Sequence, residues 1–458
     1  MNHLITSIHS VKEGHAARLA LILALVLALC LPGQAFAAGG GGGSASAPTL
    51  AQVNALVDQV AAYEVNQLTQ VKGGPGYGYE WAVMALARAG KLPDNLKQQY
   101  LANLEAYLAS NGNVLSSTIT DYDRVILALS AIGVNATDVN GVDLTAPLAN
   151  LDDITAQGAN SIVYALLALD SNNYPVPQLA AGASGTQTTR PALVSALLAT
   201  QLPGGGWNWG YGETAPDPDL TSMALDALAP YYGAGNAQVD AAVDGGLTVL
   251  GQIQDDVTAG FVPSWSPDPT SESTAQALTA LSSLNIPVTD TRFAKTGGTF
   301  YDSLTSFLID GGSGSKAFVD SAGGVASAMA TEQGLYALVA YSRSLAGANR
   351  LYDMTDAEPY TGGGATGGGS GSDTGDKGGG ASSDKDATKG TGTGSGSGGA
   401  VKTAAALPAV TTPAAGLPTT GDSSLQASLI TIVTLVSGAV LILAIVATSR
   451  KRSGQRAL

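Results

Sequence analysis

Cysteine and histidine are nearly missing from this chain: Cys30, His3, His9 and His15 are the whole complement in 458 residues, and all lie within the first 30. If that segment is removed on export, the working protein has neither thiol nor imidazole. Disulfides, Cys/His zinc sites, Ser-His-Asp triads and cysteine nucleophiles are then excluded together. Charge is also scarce, at 12% of residues, about half the usual ~25%. What charge there is leans acidic, with 36 Asp and Glu against 21 Lys and Arg for a net −15. Such a surface repels phosphate backbones and anionic lipid, so nucleic acid is not an expected partner. Glycine, by contrast, is plentiful at 59 residues, much of it in two runs near the ends.

The two ends read as address labels. Lys12 and Arg18 precede an apolar run from Leu19 to Leu31, then Pro32-Gly33, then Ala35-Phe36-Ala37 with Ala38 after it. A basic start, a short apolar core and small residues at a cut site predict a secretory signal, residues 1–37, cleaved between Ala37 and Ala38. An uncleaved N-terminal anchor is the alternative. Near the other end stands Leu417-Pro418-Thr419-Thr420-Gly421, then an apolar stretch 425–448, then Arg450-Lys451-Arg452. These 24 residues at about 1.5 Å each cover about 36 Å, enough for a ~30 Å hydrocarbon core. The basic tail holds that end in the cytoplasm.

That order of motif, span and tail resembles the cell-wall sorting signal of Gram-positive surface proteins. The resemblance implies that a sortase cuts between Thr420 and Gly421, within the motif begun by Leu417 and Pro418, and joins Thr420 to peptidoglycan. The membrane is then only an intermediate stop, although a plain single-pass protein would carry the same span. Residues 38–45 are a Gly/Ser spacer, and residues 359–416 are a Gly-, Ser- and Thr-rich stretch with almost nothing to bury. As a flexible coil that stretch spans about 40–45 Å, the length of a stalk.

Between spacer and stalk, residues 46–358 repeat one phrase, Ala-Leu-x-Ala plus an apolar residue. It appears at Ala128–Ile132, Ala165–Leu169, Ala224–Leu228, Ala277–Leu281 and Ala337–Tyr341, with a looser copy at Ala85–Ala89. The starts lie 43, 37, 59, 53 and 60 residues apart, which marks a repeat with variable loops. Ala alternating with Leu at helical spacing predicts helices apolar on most of their surface, hence buried. A second helix is expected before most of them, over Leu50–Gln70, Pro93–Ser110, Pro191–Gln201, Gln238–Gln254 and Phe300–Leu308. None can be placed before the third phrase.

Two repeats are sharper than the rest. One runs Gln201-Leu202-Pro203-Gly204-Gly205-Gly206-Trp207 and then Asp217-Pro218-Asp219-Leu220-Thr221-Ser222-Met223-Ala224-Leu225. The next runs Gln252-Ile253-Gln254, Gly260-Phe261 and then Thr274-Ala275-Gln276-Ala277-Leu278. Outer-helix Gln, a Gly-aromatic loop and a Thr-x-x-Ala-Leu inner helix resemble the prenyltransferase/squalene-cyclase repeat. The resemblance implies an all-α fold, an α/α toroid of about six helix pairs. An open solenoid of generic helix pairs remains the alternative.

In such a toroid the loops leading into the inner helices converge on one mouth. Those loops carry Tyr77, Tyr79, Glu80, Trp81, Asp121, Tyr122, Asp123, Trp207, Trp209, Tyr211, Glu213, Asp217, Asp219, Phe261, Trp265, Glu272 and Glu332. Aromatic faces beside carboxylates suit sugars or planar ligands. The candidate ligand contacts are Trp207, Trp209, Tyr211, Trp265, Tyr79, Trp81, Tyr122, Asp123, Glu213 and Glu272, although a Trp after Gly-Gly also serves as a plug between repeats.

Asp217 and Asp219 are the candidate catalytic residues, and the comparison that suggests them is incomplete. The terpene-cyclase motif Asp-x-Asp-Asp-Thr would make Asp219 the proton donor, but Leu220 stands where its partner carboxylate belongs. Both Asp are better placed as caps of the inner helix. The zinc set of protein prenyltransferases needs Cys and His, the thioester domain needs Cys, and no run of acids forms an EF-hand. No metal and no cofactor is expected. The expected function is a wall-anchored, non-catalytic binding or adhesion module for a glycan, a small amphipathic ligand or a protein partner. The alternative is an extracellular lyase or hydrolase using mouth carboxylates. A corrinoid ranks lower, because the B12 carriers that share this helical domain clamp their ligand with a second, β-rich domain.

Overall fold

The computed structural model describes residues 47–361, Tyr211 excepted. The expected signal 1–37, spacer 38–45, most of the stalk 359–416 and the sorting signal 417–458 with its span 425–448 lie outside the described residues. Among the described residues no helix is long and apolar enough to cross a membrane.

Among the described residues the chain is mostly helical, with one small hairpin. Every Ala-Leu phrase falls on a helix, and these six inner helices are α2 (Glu80–Arg88), α4 (Ile119–Ala131), α6 (Ala159–Ser171), α8 (Pro218–Leu228), α10 (Ser271–Ser283) and α12 (Ala328–Leu345). They are buried over most of their surface, and in α10 every residue is. Such burial follows from having Ala and Leu all round rather than along one stripe.

The outer helices are α1 (Leu50–Gln70), α3 (Asp94–Ser110), α5 (Leu151–Ala156), α7 (Arg190–Ala199), α9 (Ala237–Ile253) and α11 (Phe300–Ser306). Their starts are set by caps: Thr49 and Gln52 form a capping box on α1, and Thr189, Asn236 and Thr299 accept backbone N–H groups at α7, α9 and α11. Such oxygens satisfy donors that have no partner inside the helix. Pro93 is the cap of α3 rather than its first residue. Before the third phrase a single 3-10 turn, Ala146–Ala149, and the short α5 stand where no helix could be placed.

One expectation fails at 300–308. The helix stops at Ser306, and Leu308 opens a hairpin of β1 (Leu308–Gly312) and β2 (Ser315–Phe318). Ser313 and Gly314, both at positive φ (53° and 81°), make the tight turn whose twist matches paired strands. The hairpin packs through β2 on α1 and α12. Gly334 of α12 admits it, because a Cβ there would lie 2.4 Å from the Phe318 ring.

Contacts run in sequence from α2 to α4, α6, α8, α10 and α12, and α12 packs in turn against α2. After α12 the segment 350–360 lies across the C-terminal ends of these helices. Arg350 donates through Nε to Ser283 O (2.9 Å) and through Nη2 to Ala229 O (3.2 Å), the ends of α10 and α8. Met354 N donates to Ser171 O at the end of α6 (2.6 Å), and Tyr360 N to Gly133 O just past α4 (2.8 Å). Arg88, the last residue of α2, donates to Arg350 O, Asp353 O and the Asp356 carboxylate. The compact unit ends at Tyr360.

Candidate functional site

The N-terminal ends of the inner helices carry most of the expected site residues. Asp217 caps α8, its Oδ1 accepting from the N–H of Asp219 (2.9 Å) and Leu220 (3.1 Å). Thr270 and Ser327 cap α10 and α12 in the same way. Glu80, at the first position of α2, accepts from Gly78 N through one oxygen (2.8 Å), and its other oxygen is buried without a partner.

Several candidates have no surface to offer a ligand. Trp207 is 0% exposed: its indole donates to Leu197 O (3.0 Å), and its backbone exchanges bonds with the Thr221 hydroxyl. Positive φ at Gly205 and Gly206 (93° and 72°) turns the chain to bring it there, and Gly246 of α9 gives its ring room. It is the plug joining α7, α8 and α9, not a ligand contact. Tyr122 is buried, its hydroxyl accepting from Leu115 N. Asp123 is buried with neither oxygen partnered, and burial pushes its carboxyl well up. Glu272 is buried too; desolvation and then the nearby Asp320 carboxylate push it up to about 9.

What stays open is a set of aromatic residues on two linked loops. Trp265 is 62% exposed, Trp209 is half-buried and Glu213 is exposed. Ser264 ties their loops together, its hydroxyl donating to Glu213 (3.3 Å) and its N–H to Asp217 Oδ2 (3.3 Å). Tyr79, 38% exposed, lies at the start of α2. Tyr211 lies outside the described residues. Asp219, two residues after the cap of α8, has Oδ1 buried and unpartnered. Burial and the neighbouring Asp217 carboxylate raise it.

Between the inner helices the sequence reading missed a second set. The residue just before the Ala-Leu phrase faces the neighbouring inner helix: Tyr164 donates to Met223 Sδ (3.3 Å), and Gln276 to the Tyr336 hydroxyl (2.7 Å). Trp81 stands between the rings of Tyr164 (5.5 Å) and Tyr336 (6.0 Å), so residues of α2, α6 and α12 meet. Aligning the repeats on their phrases would have shown these positions. Arg124, bound to Asp121 (2.6 Å), is the cation among Glu80, Glu332 and Asp123, all of them raised by burial and drawn down by that guanidinium. Among the described residues no cluster of His, Cys, Asp and Glu could hold a metal ion. No protein-family model matches this chain, and no curated protein matches it.

Proposed function

We propose that residues 46–358 form a closed α/α toroid of six helix pairs, carried on a stalk at the wall of a Gram-positive cell, and that it binds a glycan without turning it over. Ring closure is supported by the packing of α12 on α2 and by segment 350–360 reaching the ends of the other inner helices. Export and anchoring rest on the apolar run before Ala37–Ala38 and on Leu417–Gly421 with its span and basic tail. Muralytic digestion should therefore release the protein joined to wall fragments; release by detergent alone counts against anchoring.

One observation carries the glycan reading: Trp265 stands exposed next to Ser264, whose hydroxyl ties its loop to the Glu213 carboxylate, and the Glu213 loop also carries half-buried Trp209. An aromatic face supplies contact area to a sugar ring, and a carboxylate beside it accepts from hydroxyls. Tryptophan-fluorescence titration of the chain with a glycan panel tests this. A binding glycan should lose at least about tenfold in affinity in Trp265→Ala with unchanged helical circular dichroism. Equal binding by the variant removes the platform.

The enzyme reading has a specific support of its own. Asp219 is a half-buried carboxyl with one oxygen enclosed, held above its usual range, which suits a general acid near neutral pH. Turnover of any glycan that is lost in Asp219→Asn would favour it.

A further inference from the structure

A partly open pocket lies at the other end of the inner helices. The C-terminal ends of α6, α8 and α10, with residues 350–355 laid across them, surround a cavity of about 330 Å³. Its walls include Asp170, Arg190, Asp226, Tyr231, Arg350 and Tyr352. The size lies at the lower end of small-molecule pockets, about 300–1,000 Å³.

The charged groups of this wall are paired, with one exception. Asp170 accepts from Arg190 Nε (2.6 Å) and from the Tyr231 hydroxyl (2.7 Å). Arg190 spends Nη2 on Leu169 O and Tyr174 O, and Arg350 spends Nε and Nη2 on Ser283 O and Ala229 O. Asp353 accepts from Thr355 N and its hydroxyl. Asp226 is the exception: it is 3% exposed and neither carboxylate oxygen makes a hydrogen bond of good geometry, although the Ser283 side chain and the Arg350 guanidinium lie near enough to favour its charge. A buried acceptor left unpaired is costly, and a ligand that donates to it recovers that cost.

The sign of the site follows from its position. Helix C-termini carry partial negative charge, and Asp226 lies in the last turn of α8. The wall holds three carboxylates, Asp170, Asp226 and Asp353, against two guanidinium groups, Arg190 and Arg350, and a wall richer in acids favours a cation over an anion. We propose that this cavity binds a small primary ammonium ion, its N–H groups donating to the two oxygens of Asp226 and its carbon stem packing against Tyr231 and Tyr352. A primary ammonium matches the vacancy because it has three donors and no acceptor, and aromatic walls favour a cation at short range. The site does not rest on the glycan reading. Asp226 lies toward the opposite end of α8 from Asp217, about 14 Å away at 1.5 Å per residue.

The test uses the whole chain at pH 9, above the value of about 8 to which burial raises Asp226 and below the ~10.4 of an alkylamine, with two probes of nearly one shape, n-butylammonium and its neutral counterpart 1-butanol, titrated by calorimetry. Butylammonium should bind saturably, at least about tenfold tighter than 1-butanol. Asp226→Asn, which keeps the side-chain shape and removes a buried charge, should abolish that preference. Trp265→Ala should leave it unchanged. Equal binding of the two probes, or no saturable butylammonium binding, overturns the proposal without recourse to any variant. A preference that survives Asp226→Asn overturns it as well.

Discussion

The two ends of the inner helices handle their backbone groups with opposite chemistry. At the N-terminal ends, oxygens of Asp217, Thr270 and Ser327 accept the free N–H groups, and Glu80, Asp219 and Glu272 occupy the first turns. At the C-terminal ends, Arg190 and Arg350 donate to the carbonyls that close α6, α8 and α10. Acid at the start and base at the end is the sorting that the helix dipole favours. Two acids break the rule at the C-terminal ends, Asp170 and Asp226. Asp170 is paired with Arg190; Asp226 is not. A local rule broken without compensation is where function is to be sought.

The two ends are also held together differently, and the largest expected effects follow from that. The N-terminal loops are stitched by an aromatic plug. Trp207→Ala should cost about 3–5 kcal/mol in urea denaturation, because a fully buried Trp leaves a cavity its neighbours cannot fill. Trp265→Ala should stay within about 0.5 kcal/mol of the parent. A loss below about 1 kcal/mol in Trp207→Ala would mean the loops are not held through that ring. The C-terminal ends are held by ions and carbonyls instead. Arg88 is 4% exposed in its side chain and Asp356 is 37% exposed. Removing one partner of a buried pair costs about 3–5 kcal/mol, and solvent at Asp356 moves the expectation for Arg88→Met to the lower end. Limited proteolysis should then cut within 350–360 first; protection of that segment would show it is held by Leu351 and Met354 packing alone.

The sequence made the helices legible and left the cavity hidden, for one physical reason. Inner helices follow from local composition: Ala-Leu phrases need only their own residues to declare burial, and all six are helices in the structure. Leu50–Gln70 agrees to the residue because Thr49 and Gln52 make a local capping box. The hairpin at 308–318 escaped notice because its strands are short and one is interrupted by a bulge between Asp310 and Gly312. The aromatic loops were visible as motifs, but whether Trp207 faces solvent depends on α7 and α9, far away in sequence. The cavity is the extreme case. Asp226 and Arg350 are 124 residues apart, belong to no shared motif and meet only because the chain after α12 crosses the other helices.

The last comparison reads a slope rather than a step, and it separates the two acids of α8. Asp219 and Asp226 are two turns apart on one helix, and burial raises both. Asp226 reaches about 8, drawn down only by Ser283 and the Arg350 guanidinium, with Tyr164, Tyr336 and Tyr352 close enough to feel its charge. An unfolded Asp ionises near ~3.9. Between that value and 8 the folded chain therefore binds more protons at this site than the unfolded chain. Its stabilising share is full at low pH and is lost as pH rises through about 8. Each such group contributes a fall of up to about 1.4 kcal/mol per pH unit in that window. Denaturation at pH 5 to 8 should show stability falling, with Glu64 and Glu272, raised to about 8 and about 9, contributing in the same direction. Asp226→Asn should flatten the fall by one group's share. Asp219→Asn should flatten it less, because the dipole at the start of α8 favours its charge and the dipole at the end opposes that of Asp226. Curves for both variants that run parallel to the parent would show that water reaches these carboxylates, and that the two ends of α8 differ in their bonding partners but not in their electrostatics.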